Sequence, residues 1–288
     1  MFSINHKRVI GKYAPIFLFP TLIAFIIGFV WPFLWGIYLS FFRFRTLSKL
    51  TFVGFENYIK AFSDPSFLYS FIFTAVFTLV SVVIINVASF TIAYFLTRSI
   101  KGSTIFRTVF FLPNLIGGIV LGYLWKIILD AVIMKYLGSS LALNSTYGFL
   151  GLVILVSWQQ IGYFMIIYIA ALQNVPNEQI EAAKIDGANG WQLLRNITFP
   201  AVMPAITICT FLSLTNGFKI FDQNLALTAG KPYNMTEMLA LNIYNTYYAR
   251  SGKVWMGRGQ AKAVIFTIVV VVLALAQLRA TRSKEVQQ

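Results

Sequence analysis

The sequence predicts an all-α, polytopic membrane protein with six transmembrane helices, and three observations lead to this fold class. Of the 288 residues, 58% are hydrophobic and 17% aromatic, whereas only 11% are charged. Soluble domains carry roughly 25% charged residues, so this composition disfavours a water-soluble fold. Six stretches are long and apolar enough to cross a hydrocarbon core of about 30 Å as a helix. They are continuously apolar and lack the alternation of membrane barrel strands, which favours helices.

The six predicted spans follow one another with short connections. They comprise residues 13–42, 68–96, 105–129, 148–172, 201–221 and 261–278. No connection is long enough for a soluble domain to bury its own core, so residues 1–288 are predicted to form a single transmembrane domain. The first span contains Pro15, Pro20 and Pro32 and lacks a small-residue cleavage site. It is therefore predicted to remain in the membrane and not to be a removable signal peptide.

The net charge of +14 raises the question of nucleic-acid binding. The basic residues stand singly in loops and helix flanks, which is typical of side chains that anchor helix ends at anionic lipid. We therefore expect membrane lipid, and no nucleic acid, as a partner. His6 is the one histidine and has no second ligand nearby, and Cys209 is the one cysteine and lies within a predicted span. Neither residue predicts a metal site or a disulfide.

The distribution of basic residues favours both termini on the cytoplasmic side. An even number of spans puts both termini on one side, and the total numbers of basic residues on the two sides are close. The basic residues of the N-terminus, of the connection at 98–107 and of the C-terminus crowd against span ends, which is where they determine orientation. This orientation puts the connection at 173–200 in the cytoplasm.

The cytoplasmic connection at 173–200 is predicted to form two short helices joined by a tight turn. Asn174 is suited to cap the first helix, and Pro176 suits an early helical position. Gly187 would end this helix in the left-handed conformation that glycine favours. Asn189 is suited to cap a second helix, which Pro200 would close. The expected result is a compact bent element on the cytoplasmic face.

Small side chains on this element would allow close approach of a partner. Ala182, Ala183 and Ala188 leave its surface shallow, which suits a docking element. Composition alone slightly favours the alternative, an ordinary amphipathic hairpin that lies in the lipid headgroups.

The spacing of Glu181-Ala-Ala, Gly187, Ile197 and Pro200 resembles the EAA motif of ATP-binding-cassette (ABC) importer permeases. In that family this element is the coupling helix that plugs into a cytoplasmic ATPase. The fuller motif is similar to the carbohydrate-importer branch, the maltose and glycerol-phosphate type of permease. The resemblance implies that the following residues contact the ATPase: Glu181, Ala182, Ala183, Asp186, Gly187, Ala188, Ile197 and Pro200.

Other segments extend the resemblance over nearly the whole chain. Residues 53–58, Pro113, and the stretch 228–232 with Thr236 look like landmarks of the same branch. Two segments depart from the pattern of this branch. Gly230-Lys231 stands where the branch usually has Gly-Gly before a proline, and residues 250–260 replace the usual run of small residues. These departures weaken any inference about the substrate from the external loops.

The resemblance implies a type I importer permease fold and a set of partners. These are a second homologous permease, two copies of a cytoplasmic ABC ATPase, and an extracytoplasmic solute-binding protein, in the cytoplasmic membrane of a bacterium. The chain contains no Gly-x4-Gly-Lys-Ser/Thr phosphate loop and no set of residues for nucleophilic catalysis. We therefore expect no catalysis and no cofactor on this chain, with ATP and Mg²⁺ bound by the ATPase.

Polar residues within the predicted spans are the candidates for the substrate pathway, because polar groups at lipid depth tend to face a bundle interior or an aqueous path. They are Asn86, Asn114, Trp158, Gln159, Gln160 and Asn216. Trp158 with the two glutamines would suit a sugar, whose ring has an apolar face and hydroxyl edges. Interhelical hydrogen bonding is the alternative role for each residue. Lys219 and Asp222 are spaced to pair with each other.

Three other classes of membrane protein remain to be weighed. A secondary transporter would also be a helical bundle, but no inverted repeat is evident and the bent cytoplasmic element would have no role. A membrane-embedded enzyme is disfavoured because no His, Asp or Glu cluster lies within the spans. An ABC exporter is disfavoured, because such proteins usually carry a fused ATPase. Within the importer class, glycerol phosphate is the alternative cargo to a sugar.

Overall fold

A computed structural model describes residue 16 and residues 18–98, 102–249 and 255–282. The fold is helical apart from one short hairpin of two antiparallel strands, in which Arg43 pairs with Thr51. In chain order the elements are α1 (Leu18–Ser40), β1 (Phe42–Phe44), β2 (Leu50–Phe52), α2 (Glu56–Phe62), α3 (Pro65–Leu96), α4 (Ser103–Phe111), α5 (Gly118–Leu137), α6 (Ser145–Gln173), α7 (Asn177–Ile185), α8 (Gly190–Ala201), α9 (Met203–Phe218), α10 (Asp222–Leu227), α11 (Leu239–Tyr244) and α12 (Trp255–Arg282).

Four of these helices, α1, α3, α6 and α12, are each long and apolar enough to cross a membrane. Two further candidates are bent pairs, α4 with α5 and α8 with α9. Counting each pair as one span gives six, and the predicted all-α polytopic fold is confirmed. The start of the first predicted span, His6 and both chain termini lie outside the described residues.

The third predicted span, 105–129, is bent in the structure. Its two halves meet at an angle of 101°. After α4 the chain tightens into a 3₁₀ turn at Leu112–Leu115, and Ile116 and Gly117 then adopt non-helical backbone angles before α5 begins. Pro113 has no backbone N–H to continue the α4 ladder, which helps to end that helix. This region therefore consists of two helices with a break at Ile116 and Gly117.

The fifth predicted span, 201–221, is also corrected. Its straight part is α9, which ends at Phe218, and α8 precedes it at an angle of 68°. Pro200 does not close α8, because the helix continues to Ala201 and the break falls at Val202. A π-helical segment at Leu194–Thr198 widens α8 just before this break.

The chain forms two compact units. One contains the residues before 64 together with Asn245–Ile265, and the other contains Asp64–Tyr244 and the residues after 265. In the first unit, Glu56 at the start of α2 accepts hydrogen bonds from Lys60 and from Arg43, the latter at 2.7 Å. The hydrogen bond from Lys60 and the nearby Arg43 charge hold the pKa of Glu56 below its usual value.

The core of the second unit is built around α6. Two clusters of buried side chains, one centred on Leu152 and Leu155 and the other on Phe164 and Tyr168, pack α6 against α3 and α9. Gly162 lets the backbone of α4 approach α6 so closely that any side chain at 162 would overlap the carbonyl of Phe110. This contact fixes the end of α4 beside the middle of α6.

Candidate functional site

The connection between α6 and α9 forms a helical hairpin of α7 and α8, and we call residues 177–201 the coupling hairpin. Asn174 does not cap α7 as predicted, because it lies at the C-terminal end of α6 and Pro176 occupies the N-cap position. Glu178 lies in the first turn of α7, where a carboxylate interacts favourably with the helix dipole. Proline suits the start of a helix because its missing N–H is not needed there.

The turn of the coupling hairpin is fixed by local hydrogen bonds. Gly187 has a φ of +83°, a conformation that side chains disfavour. The Ala188 N–H donates to the Ala183 carbonyl at 2.9 Å, which satisfies the end of α7. Asn189 and Gln192 then form a capping box at the start of α8, with bonds of 2.9 and 2.8 Å. The predictions for Gly187 and Asn189 are confirmed.

A shallow cleft of about 300 Å³ lies between the two helices of the coupling hairpin. It is lined by Ala183, Asp186, Gly187, Ala188, Gln192, Asn196 and Ile197. Five of the eight residues predicted to contact the ATPase therefore surround one cleft, whereas Glu181, Ala182 and Pro200 lie elsewhere on the hairpin. Glu181 and Ala182 are exposed on α7.

The exposure of two large apolar side chains on the coupling hairpin, Ile185 and Trp191, was not predicted from the sequence. Ile185 is 86% exposed at the end of α7, and Trp191 is 67% exposed at the start of α8. Large apolar groups at such exposure are the kind of side chain that a partner or a lipid surface covers. Sequence periodicity gives no warning of them, because helices of this length carry too few turns to define a face.

A second candidate site is a polar cavity of about 570 Å³ beside the middle of α6. Its lining comes from the break between α4 and α5, from α6, from α9 and from the start of α10. The lining residues are Asn114, Gln159, Gln160, Tyr163, Leu212, Asn216, Lys219, Ile220, Phe221, Asp222 and Gln223. Four of the six predicted pathway residues thus meet at one cavity: Asn114, Gln159, Gln160 and Asn216.

The amide side chains of this cavity differ in how they are bonded. Gln159 donates to the Ile116 carbonyl at 3.0 Å and accepts from Gln223 at 2.8 Å, so its amide holds the break in the third span. Gln160 is 8% exposed, and its amide oxygen has no hydrogen-bond partner among the described residues. A buried acceptor without a partner carries a desolvation cost.

Asn86 and Trp158 do not line the cavity. Asn86 accepts from the Tyr168 hydroxyl at 2.7 Å and donates to Ser213 at 2.9 Å, so it links α3 to α6 and α9. Trp158 packs edge-on against Trp125 at 5.4 Å and is 43% exposed. The expected grouping of Trp158 with both glutamines does not occur, and the aromatic side chains of the cavity lining are Tyr163 and Phe221.

Charges of both signs lie at one side of the cavity. Lys219 follows α9 and Asp222 begins α10. Although both residues are described, they form no ion pair with each other, contrary to the expectation from their spacing. Within the described residues no group of three or more His, Cys, Asp or Glu side chains could hold a metal ion.

The chain is similar to known proteins in both sequence and fold. Residues 9–282 match the family described as binding-protein-dependent transport system inner membrane component. The chain is 45% identical to the "Probable starch degradation products transport system permease protein AmyD" of Thermoanaerobacterium thermosulfurigenes over 94% of each chain. It is 31% identical to the "Multiple sugar-binding transport system permease protein MsmF" of Streptococcus mutans over 97% of this chain and 99% of that one.

A third relative and one solved structure extend the comparison. The "sn-glycerol-3-phosphate transport system permease protein UgpA" of Brucella abortus is 30% identical over 93% of this chain and 94% of that one. The fold is similar to a chain in the crystal structure of a bacterial ABC transporter involved in alginate import, with a TM-score of 0.79 and 19% identity. The similarity covers 96% of this chain and 98% of that chain.

Proposed function

This chain belongs to the family of binding-protein-dependent transport system inner membrane components, and we propose that it forms half of the pathway by which a sugar or oligosaccharide is imported. It is a multi-pass membrane permease of an ABC importer. The observation that carries the proposal for the cargo is the convergence of uncharged amide side chains on one cavity halfway along α6.

The position and chemistry of the cavity favour a polyhydroxylated solute. Gln159 and Gln160 lie at the middle of a 29-residue helix, the depth at which transporters bind their substrates. Gln160, Asn114 and Asn216 contribute amide groups to the cavity lining, and an amide offers both donors and acceptors to sugar hydroxyls. The ring of Tyr163 offers a flat apolar face for the less polar side of a sugar ring.

Glycerol phosphate is the alternative cargo. Lys219 in the cavity lining could pair with a phosphate, and one relative is named for the transport of sn-glycerol 3-phosphate. Asp222 lies in the same lining and would repel that phosphate. The presence of both charges favours a neutral cargo, as do the names of the two relatives that refer to starch degradation products and multiple sugars.

The proposed importer contains further subunits. A companion permease would enclose the pathway together with this chain, and an extracytoplasmic solute-binding protein would deliver the cargo. Two copies of a cytoplasmic ATPase would bind ATP and Mg²⁺ and hydrolyse the nucleotide, and this chain would not. Both termini of this chain and the coupling hairpin would face the cytoplasm.

The coupling hairpin is suited to transmit movement because it is short, stiff and exposed. Closure of the ATPase dimer would be passed through it to the helices that line the cavity. We propose that Glu181 pairs with a basic ATPase residue while Ala182, Ala183 and Ala188 allow close packing. The exposed Ile185 and Trp191 would add apolar area to the same interface.

Uptake by the reconstituted complex tests the cargo site. In vesicles that contain the purified importer, Gln160→Ala should reduce ATP-dependent uptake of the preferred member of a sugar panel about tenfold, because a buried hydrogen bond to the cargo is lost. Ser157→Ala is the matched control, since it alters a buried polar side chain on α6 outside the cavity lining. It should leave uptake within about twofold.

Two outcomes would contradict the proposal. If the Gln160→Ala variant transports sugar at the full rate, the cavity is not part of the pathway. If every sugar is taken up at the wild-type rate without ATP, the protein is a secondary transporter. Uptake of glycerol phosphate in preference to all sugars would support the alternative cargo.

A further inference from the structure

The connection between α1 and α3 is fixed to the end of α1, and we call residues 42–62 the α1–α3 connector. It comprises β1, β2 and α2. Asn57 of α2 is buried and donates from its side-chain amide to the Ser40 carbonyl at 2.8 Å and to the Phe42 carbonyl at 2.9 Å. The hydroxyls of Tyr58 and Ser40 share a hydrogen bond of 2.6 Å. Because Ser40 is the last residue of α1, these bonds hold α2 against the end of a membrane span.

The start of α12 packs against the same side of the α1–α3 connector. A Cβ added at Gly257 would lie 1.9 Å from the Phe42 carbonyl oxygen and 2.8 Å from the side-chain nitrogen of Asn57. Only glycine allows so close an approach. Like α1, α12 is long and apolar enough to cross a membrane. The inner side of the connector is therefore held by the ends of two spans.

Aromatic side chains near the end of α1 indicate the depth of the α1–α3 connector in the membrane. Trp35 stacks on Tyr38 at 5.2 Å, and both rings are exposed. Exposed Trp and Tyr side chains of membrane spans concentrate at the level of the lipid headgroups. Tyr38 lies two residues before Ser40, to which α2 is bonded, and only two residues separate α2 from α3. The connector therefore lies at the level of the headgroups.

The outer side of α2 is apolar and exposed. Phe55, Ile59 and Phe62 follow one another at intervals of four and three residues, which places them on one helical face. They are 56–68% exposed, and the buried residues Asn57 and Ala61 lie on the other face. Several large apolar side chains on one exposed face form the kind of surface that a lipid layer or a partner covers.

The α1–α3 connector also carries a net charge of +3, from four basic residues and one acidic residue. The acidic residue, Glu56, accepts hydrogen bonds from Arg43 and Lys60. Arg45 and Lys49 are exposed in the turn between β1 and β2 and form no ion pair with a described residue. An apolar helical face beside basic side chains is typical of elements that lie in an anionic membrane surface. Such a surface offers acyl chains to the apolar face and headgroup phosphates to the cations.

We propose that the α1–α3 connector binds anionic phospholipid, with Phe55, Ile59 and Phe62 among the acyl chains and Arg45 and Lys49 on the headgroup phosphates. The inference does not depend on the orientation or the cargo proposed above, because it uses only contacts of α1, α2 and α12 at one membrane surface. Lipid held there would keep the end of α1 and the start of α12 at a constant depth.

A spin label measures what covers the apolar face of α2. The label is attached to Ile59→Cys in the complete importer, in a Cys209→Ser background and in bilayers that contain phosphatidylglycerol. Its collision rate with oxygen, which dissolves in lipid, should exceed its collision rate with a water-soluble nickel complex. Ser48→Cys, in the exposed turn between β1 and β2, is the matched control and should show the opposite order.

Two results of this measurement would overturn the proposal. Protection of residue 59 from both reagents would mean that another protein, such as a companion permease or a binding protein, covers the face. A nickel collision rate at residue 59 that equals or exceeds the oxygen rate would mean that the face lies in water.

Lipid titration tests the basic side chains. The apparent Kd of the purified importer for phosphatidylglycerol, measured by native mass spectrometry, should rise about twenty-five-fold when Arg45→Gln and Lys49→Gln are combined. Each basic side chain near an anionic membrane surface contributes about fivefold. Lys135→Gln with Lys231→Gln removes the same charge from two exposed positions elsewhere and should stay within about twofold. Equal losses in the two double variants would reduce the effect to net charge and overturn the proposal.

Discussion

The two ends of α6 carry elements that are stabilised in different ways. The coupling hairpin relies on local backbone bonds and on the capping box of Asn189, and no residue of α7 is buried. Residues 228–237, between α10 and α11, form a loop that we call the tyrosine loop. It relies on buried side chains, since Asn224, Thr228 and Thr236 are at most 3% exposed. The loop is therefore held by buried side chains, whereas α7 of the coupling hairpin has its surface exposed.

The largest expected effect comes from removing the buried amide of the tyrosine loop. Asn224→Ala leaves the Thr236 carbonyl and the Met238 N–H buried without partners, at a cost of about 3 kcal/mol. Hydrogen exchange of residues 228–239 should accelerate by about a hundredfold, because each 1.4 kcal/mol is about tenfold. Exchange in the coupling hairpin should not change.

Asn196→Ala is the control for this variant. Asn196 is an exposed amide on α8, so its removal should change stability by less than about 0.5 kcal/mol. If exchange accelerates equally in both variants, the tyrosine loop does not depend on its buried amide more than the coupling hairpin depends on an exposed one.

The next effect concerns the turn of the coupling hairpin. Gly187→Val puts a β-branched side chain at a φ of +83°, which costs about 1–2 kcal/mol. No atom lies within 4 Å of the added Cβ, so the effect comes from the backbone conformation and not from a clash. Uptake per ATP hydrolysed should fall about tenfold in reconstituted vesicles, while the protein still inserts.

Gly190→Ala is the matched control, because this glycine also has open space around it but no positive φ. It should transport like the wild type. A Gly187→Val importer that transports normally would show that the geometry of the turn is not used in coupling.

A smaller effect is expected from the cap of α8. Asn189→Ala removes the side chain that accepts from the Gln192 N–H at 2.9 Å and should cost about 1 kcal/mol of local stability. Hydrogen exchange at residues 190–193 should accelerate about fivefold in the isolated chain and less in the complete importer. Equal acceleration in both samples would argue that no partner stabilises the hairpin.

The smallest effect is expected from Tyr69→Phe. The Tyr69 hydroxyl donates to the Met235 carbonyl at 3.1 Å, at an exposed position where water can replace it. Exchange near residue 235 should rise no more than about twofold, because an exposed hydrogen bond contributes about 0.5 kcal/mol or less. A loss as large as that of Asn224→Ala would mean that the outer contact and not the buried amide holds the loop.

Local features of the fold could be predicted from the sequence because their causes are local. The turn at Gly187 and the cap at Asn189 depend on residues within three or four positions along the chain. The break at Ile116 and Gly117 could not be predicted, since its angle depends on the contact of Gly162 with Phe110 and on the bond from Gln159. Those partners are distant in sequence, and hydropathy alone reports only that the segment is apolar.

Only part of the cavity lining was predicted from the sequence, because some of its residues share one helix face and others come from distant elements. Successive residues of an α-helix are about 100° apart, so Trp158 faces away from the cavity when Gln159 and Gln160 share it. Tyr163 lies four residues after Gln159 on the same face and could have been found from helical spacing. Gln223 could not, because it belongs to the short helix α10, which hydropathy does not reveal.

The close contact between Gly162 of α6 and the backbone of α4 limits how these two helices can move relative to each other. The Phe110 carbonyl fills the space that a side chain would take, two residues from Gln160. We expect that α4 cannot slide along α6, because its backbone would then clash with the side chains on either side of Gly162. We expect that α4 can still tilt about this contact. Tilting of α4 about this contact would then change the width of the cavity beside Gln160 without moving the contact itself.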